Sequence, residues 1–290
     1  MTSLVSGSPG WDVFDVVERR TSVRTFNSRA LDGEALSRVE AALDGAPAAT
    51  WSPFRDAPPV RFVLLADEGG DPAEWRKLGT YGMIKGAKYF VVGVTRHGPH
   101  DGENYGFVLE RLVLEFTAWG LGTCWLGSFK REEFGAKVDL AEGEFVPAIT
   151  PVGWPAPRRR AFERVVRAVV RAKKRKPWSD LFFSGEFGRP LSPGEAGPFA
   201  RALEAVRLAP SAKNGQPWRV VKEVGHATFH FHVQAKGGSF TRLDAGIAVC
   251  HFELARRALK LDGEWSLDDP GLQKPEGVVH VATFRGVQPS

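Results

Sequence analysis

The chain has 290 residues, 43% apolar and 25% charged, with a formal net charge of +5. That balance is ordinary for a soluble globular protein, and the length allows two domains or one large one. No apolar run approaches bilayer length, Met1 to Trp11 lacks the pattern of a secretory leader, and Cys124 and Cys250 are lone cysteines in apolar surroundings. A membrane span and a disulfide scaffold are thereby set aside, and a cytoplasmic protein is expected.

Arg20, Ser22 and Arg24 alternate near the N-terminus, a spacing that can aim two guanidinium groups and a hydroxyl at one ligand face. Gly33-Glu-Ala35 opens a helical pattern that stops at Ala46-Pro47, and an apolar strand follows from Val60 to Ala66. A long helix runs from about Asn104 past Phe116, with apolar residues on several sides, so burial is expected. Gly120 to Gly127 is glycine-rich but lacks the dinucleotide spacing. It reads either as a helix cap with a tight turn or as backbone amides brought close to a flat ligand. Arg158 to Lys176 then holds ten basic residues and one acid, Glu163, in an amphipathic pattern. A solvated helix, contact with a phosphate, and binding to a polyanion are all open for that segment.

Gly194-Glu-Ala196 opens a second helical pattern, stopping at Ala209-Pro210, and a strand follows from Trp218 to Glu223. The loop between them packs Ser211, Lys213, Asn214 and Gln216 together, with Gly215 available for unusual dihedrals. So many polar groups in a short loop point to a ligand. His230 and His232 share one face of a strand and suggest a polar strand face; with no third ligand at a matching spacing, no metal is expected. A second long helix begins near Asp244 and leads to Trp265. There is no H-E-x-x-H, G-x-S-x-G or C-x-x-C motif to support hydrolytic or metal chemistry.

The order helix, strand, strand or loop, long helix, strand occurs twice. The two Gly-Glu-Ala starts lie 161 residues apart and Trp125 and Trp265 lie 140 apart. Repetition of an α+β unit is the natural reading. It divides the chain into residues 1–157, a basic helical linker over 158–180, and residues 181–290.

Four segments together resemble the nitroreductase family of FMN-dependent oxidoreductases. They are Arg20-Thr-Ser-Val-Arg-Thr-Phe26, Gly120-Leu-Gly-Thr-Cys-Trp-Leu-Gly127, Pro147-Ala-Ile-Thr-Pro-Val-Gly-Trp-Pro155 and Ala209-Pro-Ser-Ala-Lys-Asn-Gly-Gln-Pro-Trp218. In ordinary members the arginine and Asn-Gln-Pro-Trp motifs share one domain. Here they fall in different halves, which is similar to the double-length subfamily in which one chain stands in for a homodimer.

The resemblance implies an α+β fold of mixed sheets and helices, in two tandem copies forming an intrachain pseudo-dimer with the flavin held at the interface. It implies that Arg20 and Ser22 hold the phosphate and ribityl chain and that Arg24 lies near the pyrimidine edge. Leu126 and Gly127 would offer backbone N–H groups near N5. Pro210, Ser211, Asn214 and Gln216 would approach from the second half, and Lys173 and Arg175 would meet the phosphate. Projection of the arginine motif by 161 residues puts Phe183 and Gly185 where Ser22 and Arg24 stand, so one flavin per chain is expected. The implied activity is ping-pong hydride transfer from NADH or NADPH to a small-molecule electron acceptor such as a nitroaromatic or quinone. No nucleic acid or membrane partner is implied, and the chain would act as a monomer. The alternatives are a flavin-binding protein with little turnover and a basic nucleic-acid-binding module.

Overall fold

The computed structural model describes residues 10–46, 51–67, 82–157, 174–235 and 240–287. Its contacts divide the chain into two compact units, one of Arg19–Thr50 and Asp56–Ala172, the other of Met1–Glu18, Trp51–Arg55 and Lys173–Ser290. The fold is α+β, with mixed or antiparallel sheets and helices.

Helix α1 (Val13–Arg19) opens the described chain and, up to Glu18, belongs to the unit that also holds the C-terminus. There its Phe14 ring lies 3.7 Å from the Arg201 guanidinium.

In the other unit, α2 (Gly33–Gly45) starts where the Asp32 carboxylate accepts a hydrogen bond from the Ala35 N–H. Such a cap satisfies a helix-end donor that has no partner within the helix. Strand β1 (Arg61–Ala66) pairs antiparallel with β2 (Tyr89–Arg96), whose apolar run is buried on both faces. Helix α3 (Asp101–Ala118) is buried on nearly all sides, as its pattern predicts. After α3 come β3 (Gly122–Thr123), α4 (Arg131–Gly135), β4 (Glu144–Phe145) and β5 (Ile149–Gly153). The sheet order is β1-β2-β5-β3, with β4 also on β2. Tyr105 on α3 donates to the Ala148 and Gly93 carbonyls, tying the helix to β2 and to the start of β5. A Cβ at Gly93 would sit 2.4 Å from that hydroxyl, which is why β2 carries a glycine there.

The second unit has strand order β6-β7-β8-β10-β9, with β6 parallel to β7 and the other pairs antiparallel. Here β6 is Phe182–Ser184, β7 Trp218–Lys222, β8 Thr228–Gln234, β9 Gly263–Ser266 and β10 Val278–Gly286. The single helix expected from Gly194 is in fact broken. A one-turn α5 (Pro193–Ala196) gives way to a 3₁₀ turn and then to α6 (Ala200–Leu208). Gly197 has φ +58°, and Pro198 both lacks an N–H and disfavours helix in the residue before it. Helix α7 (Thr241–Ala258) packs on α6 and on β8. Phe199, Phe229, Phe231, Phe252, Phe284 and Trp265 form a connected aromatic core there.

Element order α2-β1-β2-α3-β3 in one unit matches α6-β7-β8-α7-β9 in the other. A detail of the two long helices also corresponds. The Trp125 indole donates to buried Glu110 of α3 at 2.6 Å, and the Trp265 indole to buried Glu253 of α7 at 2.7 Å. The two glutamates are one helical turn out of step with the 140-residue offset.

The strand carrying His230 and His232 differs from its sequence reading. It is buried on both sides, and His232 is fully inaccessible. Phe187 and His280 lie edge-on to the His232 ring, at 5.0 and 5.3 Å between centroids. No group of three or more His, Cys, Asp or Glu that could hold a metal occurs among the described residues. No helix among them is long and apolar enough to cross a membrane.

Candidate functional site

Three of the four motif segments meet in the first unit. Residues Arg20 to Phe26 run as an irregular extended segment along the sheet. Ser22 bridges Thr123 in parallel, and the Val23 N–H donates to the Thr123 carbonyl at 2.8 Å. Farther along, the Phe26 N–H donates to the Lys85 carbonyl, and Phe26 bridges Pro155 at the end of the third motif. Val23 turns inward to the core, which puts Ser22 and Arg24 on the opposite face of the extended segment. Gly122 makes this approach possible, since a Cβ there would lie 2.9 Å from Val23. The helix-cap reading of the glycine-rich segment holds. Gly120, at φ +78°, closes the end of α3, and Gly122 admits the arginine segment.

Arg20 and Arg24 are partly buried, and the Nε of each is fully covered without a hydrogen-bond partner. Burial pulls the Arg20 guanidinium below its ordinary value, and the inaccessible Glu110 carboxylate opposes that shift. Covered cationic donors left over by the protein suit a polar or anionic ligand. The Leu126 N–H is in a different position. It donates to the Ile149 carbonyl at 2.9 Å, and the Ile149 N–H donates back at 3.0 Å. Leu126 is thus used within the sheet, and only Gly127 of the expected pair remains as a backbone donor.

The fourth motif forms a second cluster, in the other unit. Helix α6 ends at Leu208, and Ala209 leaves it in an extended conformation ahead of Pro210. The Ser211 hydroxyl accepts from the Gln216 N–H at 2.9 Å, and the Asp244 carboxylate of α7 accepts from the Ala212 N–H at 2.9 Å. Gly215 has an ordinary φ of −69°. The left-handed residues are instead Lys213, Asn214 and Gln216, at φ +51°, +56° and +48°. Such positions carry strain for residues other than glycine and persist only where the surroundings impose them.

The side chains of this loop impose it. Asn214 Oδ1 accepts from Arg175 at 2.8 Å, and Asn214 Nδ2 donates to the Lys174 carbonyl at 2.8 Å. Gln216, only 3% exposed, accepts from the Lys176 N–H at 2.8 Å. Arg175 also donates to the Leu208 carbonyl at 2.9 Å. The structure therefore brings Arg175, Pro210, Ser211, Asn214 and Gln216 into one cluster. Lys173 lies outside the described residues. Lys176 and Arg219, neither of them singled out from the sequence, also join it. Both donate to the Gln216 carbonyl, at 3.2 and 3.1 Å. The basic run ending at Lys176 was the sequence signal for Lys176, and the sequence reading held none for Arg219.

The sequence profile of the family described as Putative TM nitroreductase matches residues 12–256. The chain belongs to this nitroreductase family. Among solved structures, a putative nitroreductase from Thermotoga maritima is 20% identical, with a TM-score of 0.58, and 98% of each chain is covered. At that identity the likeness speaks for the nitroreductase fold. An FMN-dependent nitroreductase from Clostridium difficile R20291 is 16% identical over 50% of this chain and 89% of its own, with a TM-score of 0.38. No curated protein matches the chain significantly. In this nitroreductase-family chain, the arginine, glycine-rich and Pro147–Pro155 segments are the parts that lie side by side in one unit.

Proposed function

We propose that the protein is an FMN-dependent NAD(P)H oxidoreductase that reduces a nitroaromatic, a quinone or a similar acceptor by ping-pong hydride transfer. The observation that carries this is a family match over residues 12–256 joined to two covered arginines, each with a partnerless Nε. Those donors are what a phosphate and a polar ring edge would fill. When bound, the flavin supplies hydride acceptance and donation, while the protein supplies binding, orientation and electrostatics. Arg20 and Ser22 would hold the phosphate and ribityl chain. Arg24 would place a cation at the pyrimidine edge and favour negative charge there, and Gly127 would offer a backbone donor. Arg175, Pro210, Ser211, Asn214 and Gln216, which cluster within the other unit, are proposed as further flavin-binding residues. Residues 1–157 and 181–290 are proposed as two nitroreductase-like halves of a monomer, joined through 158–180.

One flavin per chain is the expected stoichiometry. Phe183, which projects onto Ser22, packs against Phe187 at 5.8 Å, and Gly185, which projects onto Arg24, brings no side chain at all. The purified protein should be yellow, contain about one flavin per chain, and bleach on addition of NADH or NADPH. A flavin content near two overturns the stoichiometry, and a colourless protein that takes up no FMN overturns the function.

Arg24→Ala should weaken FMN binding about 10- to 100-fold, the usual worth of a hydrogen bond to a charged group. A fluorescence titration of apoprotein with FMN checks it. Full flavination with normal turnover in that variant would remove Arg24 from the site.

A further inference from the structure

Asn214-Gly215 carries a chemistry that stands apart from the flavin reading. The chain has three asparagines, and only this one precedes a residue without a Cβ; the others precede Ser28 and Tyr105. We infer that Asn214 is a latent deamidation site. The folded loop holds it as the amide, and opening of the loop converts it to aspartate or isoaspartate.

The conversion consumes only water. The Gly215 amide nitrogen gives up its proton and attacks Asn214 Cγ. A C–N bond forms, the Cγ–Nδ2 bond breaks, and Nδ2 leaves as ammonia with that proton. Water then opens the cyclic imide, at the side-chain carbonyl to give aspartate or at the backbone carbonyl to give isoaspartate. Nothing is oxidised or reduced. Gly215 is exposed and Asn214 partly so, which gives water access to both. A side chain at position 215 would crowd the attacking nitrogen, and glycine brings none.

The fold withholds each reacting group. The Gly215 N–H donates to the Ala212 carbonyl at 2.9 Å. Both ends of the Asn214 amide are committed elsewhere, Oδ1 to Arg175 and Nδ2 to the Lys174 carbonyl, each at 2.8 Å. Gln216 Nε2 donates to the Asn214 backbone carbonyl at 3.1 Å and so holds the peptide that has to turn. Arg175 is anchored in its own right on the Leu208 carbonyl at 2.9 Å. Its cation polarises the Asn214 side-chain carbonyl, which taken alone favours attack. That gain counts only once the nitrogen is within reach, so the restraint wins in the closed loop. An aspartate at 214 has no N–H for the Lys174 carbonyl, and the original clasp does not re-form.

The full-length protein as purified is incubated in warm, mildly alkaline buffer, beside the same chain unfolded in urea. Samples taken over time are digested at acid pH, and mass spectrometry reads the gain of an amide-to-acid exchange at Asn214, with Asn27 and Asn104 as internal controls. In urea Asn214 should convert well ahead of both controls. In the native protein it should convert at least about tenfold more slowly than in urea, because attack waits for local opening. Arg175→Ala, shown to be folded by its circular dichroism, should convert about tenfold faster than the native wild type, the scale of one charged hydrogen bond. Should that variant fail to fold, Arg175→Lys takes its place. It keeps the charge without the planar fork and should also convert faster than the wild type. Equal rates in native and unfolded chains overturn the inference, as does an unfolded chain that keeps Asn214. A folded Arg175 variant that converts no faster than the wild type overturns it too. Every one of these outcomes leaves the flavin reading where it stands.

Discussion

Glu253→Ala should destabilise the protein by about 3–5 kcal/mol, the usual penalty for stranding a buried charge. Glu253 is 1% exposed on α7 and accepts four hydrogen bonds. Arg256 donates twice, at 2.6 Å each, and Arg257 and the Trp265 indole once each, at 2.5 and 2.7 Å. Arg256 is itself buried and lies over the Phe284 ring, and Arg257 lies over Trp51. Removing the carboxylate leaves Arg256 without a counter-charge and the indole N–H without an acceptor. Against a typical total stability of about 5–15 kcal/mol, that loss would leave a substantial unfolded fraction. Urea unfolding of the variant beside the wild type measures it, and a loss below about 1 kcal/mol would show that the cluster is not a stabilising anchor. Replacing the cluster by apolar groups, as in Glu253→Leu with Arg256→Met, should recover much of the loss, because both charges leave together.

Acid should weaken the fold between about pH 6.5 and pH 4, by up to about 3 kcal/mol, through His232. The His232 Nδ1–H donates to the His230 carbonyl at 3.0 Å, so the proton sits on Nδ1. Its Nε2 is bare, covered and without a partner. Burial, with His280 beside it, pushes the ring down to about 4. An unfolded histidine titrates near its ordinary value of about 6.5, so the unfolded chain takes up a proton that the native ring refuses. Below about pH 6.5 the unfolded state binds more protons, and stability falls with pH until the native ring titrates as well. His230 is shifted in the same direction by burial, with Glu223 at 2.9 Å opposing it, so it adds to the same trend. Arg285, Asp269 and Lys274 are the other charged groups acting on this face. Denaturant unfolding at a series of pH values checks this. His232→Phe keeps a ring of similar shape and should flatten the slope in that window. An unchanged slope would clear His232.

Much of the architecture is legible from local chemistry. Pro47 and Pro210 mark helix ends because proline cannot continue the preceding helix, and α2 and α6 stop just short of them. The two long helices are apolar on several sides, and both are buried as that requires. The break at Gly197-Pro198 is also a local signal. It is masked in the sequence by apolar residues that keep a helical period across it. Gly215 misleads in the opposite way. The loop needs left-handed residues, but it places them at Lys213, Asn214 and Gln216, and the Asn214 and Gln216 side chains are held from outside the loop.

The sequence by itself determined the family, the order of elements and the identity of the arginine, glycine-rich and Asn-Gln-Pro-Trp segments, because these rest on residue type and short-range spacing. Only the tertiary structure decided what each polar group has left to offer. It paired the Leu126 N–H with Ile149, turned the Asn214 and Gln216 amides onto Lys174 to Lys176, and covered the His230 and His232 face. It also brought Glu110 near Arg20 and gave Glu253 to Arg256. A hydrogen bond or an ion pair between residues 40 or 90 positions apart leaves no periodic trace in the chain. The number of donors and charges a site retains for a ligand is settled only after the fold has used the rest.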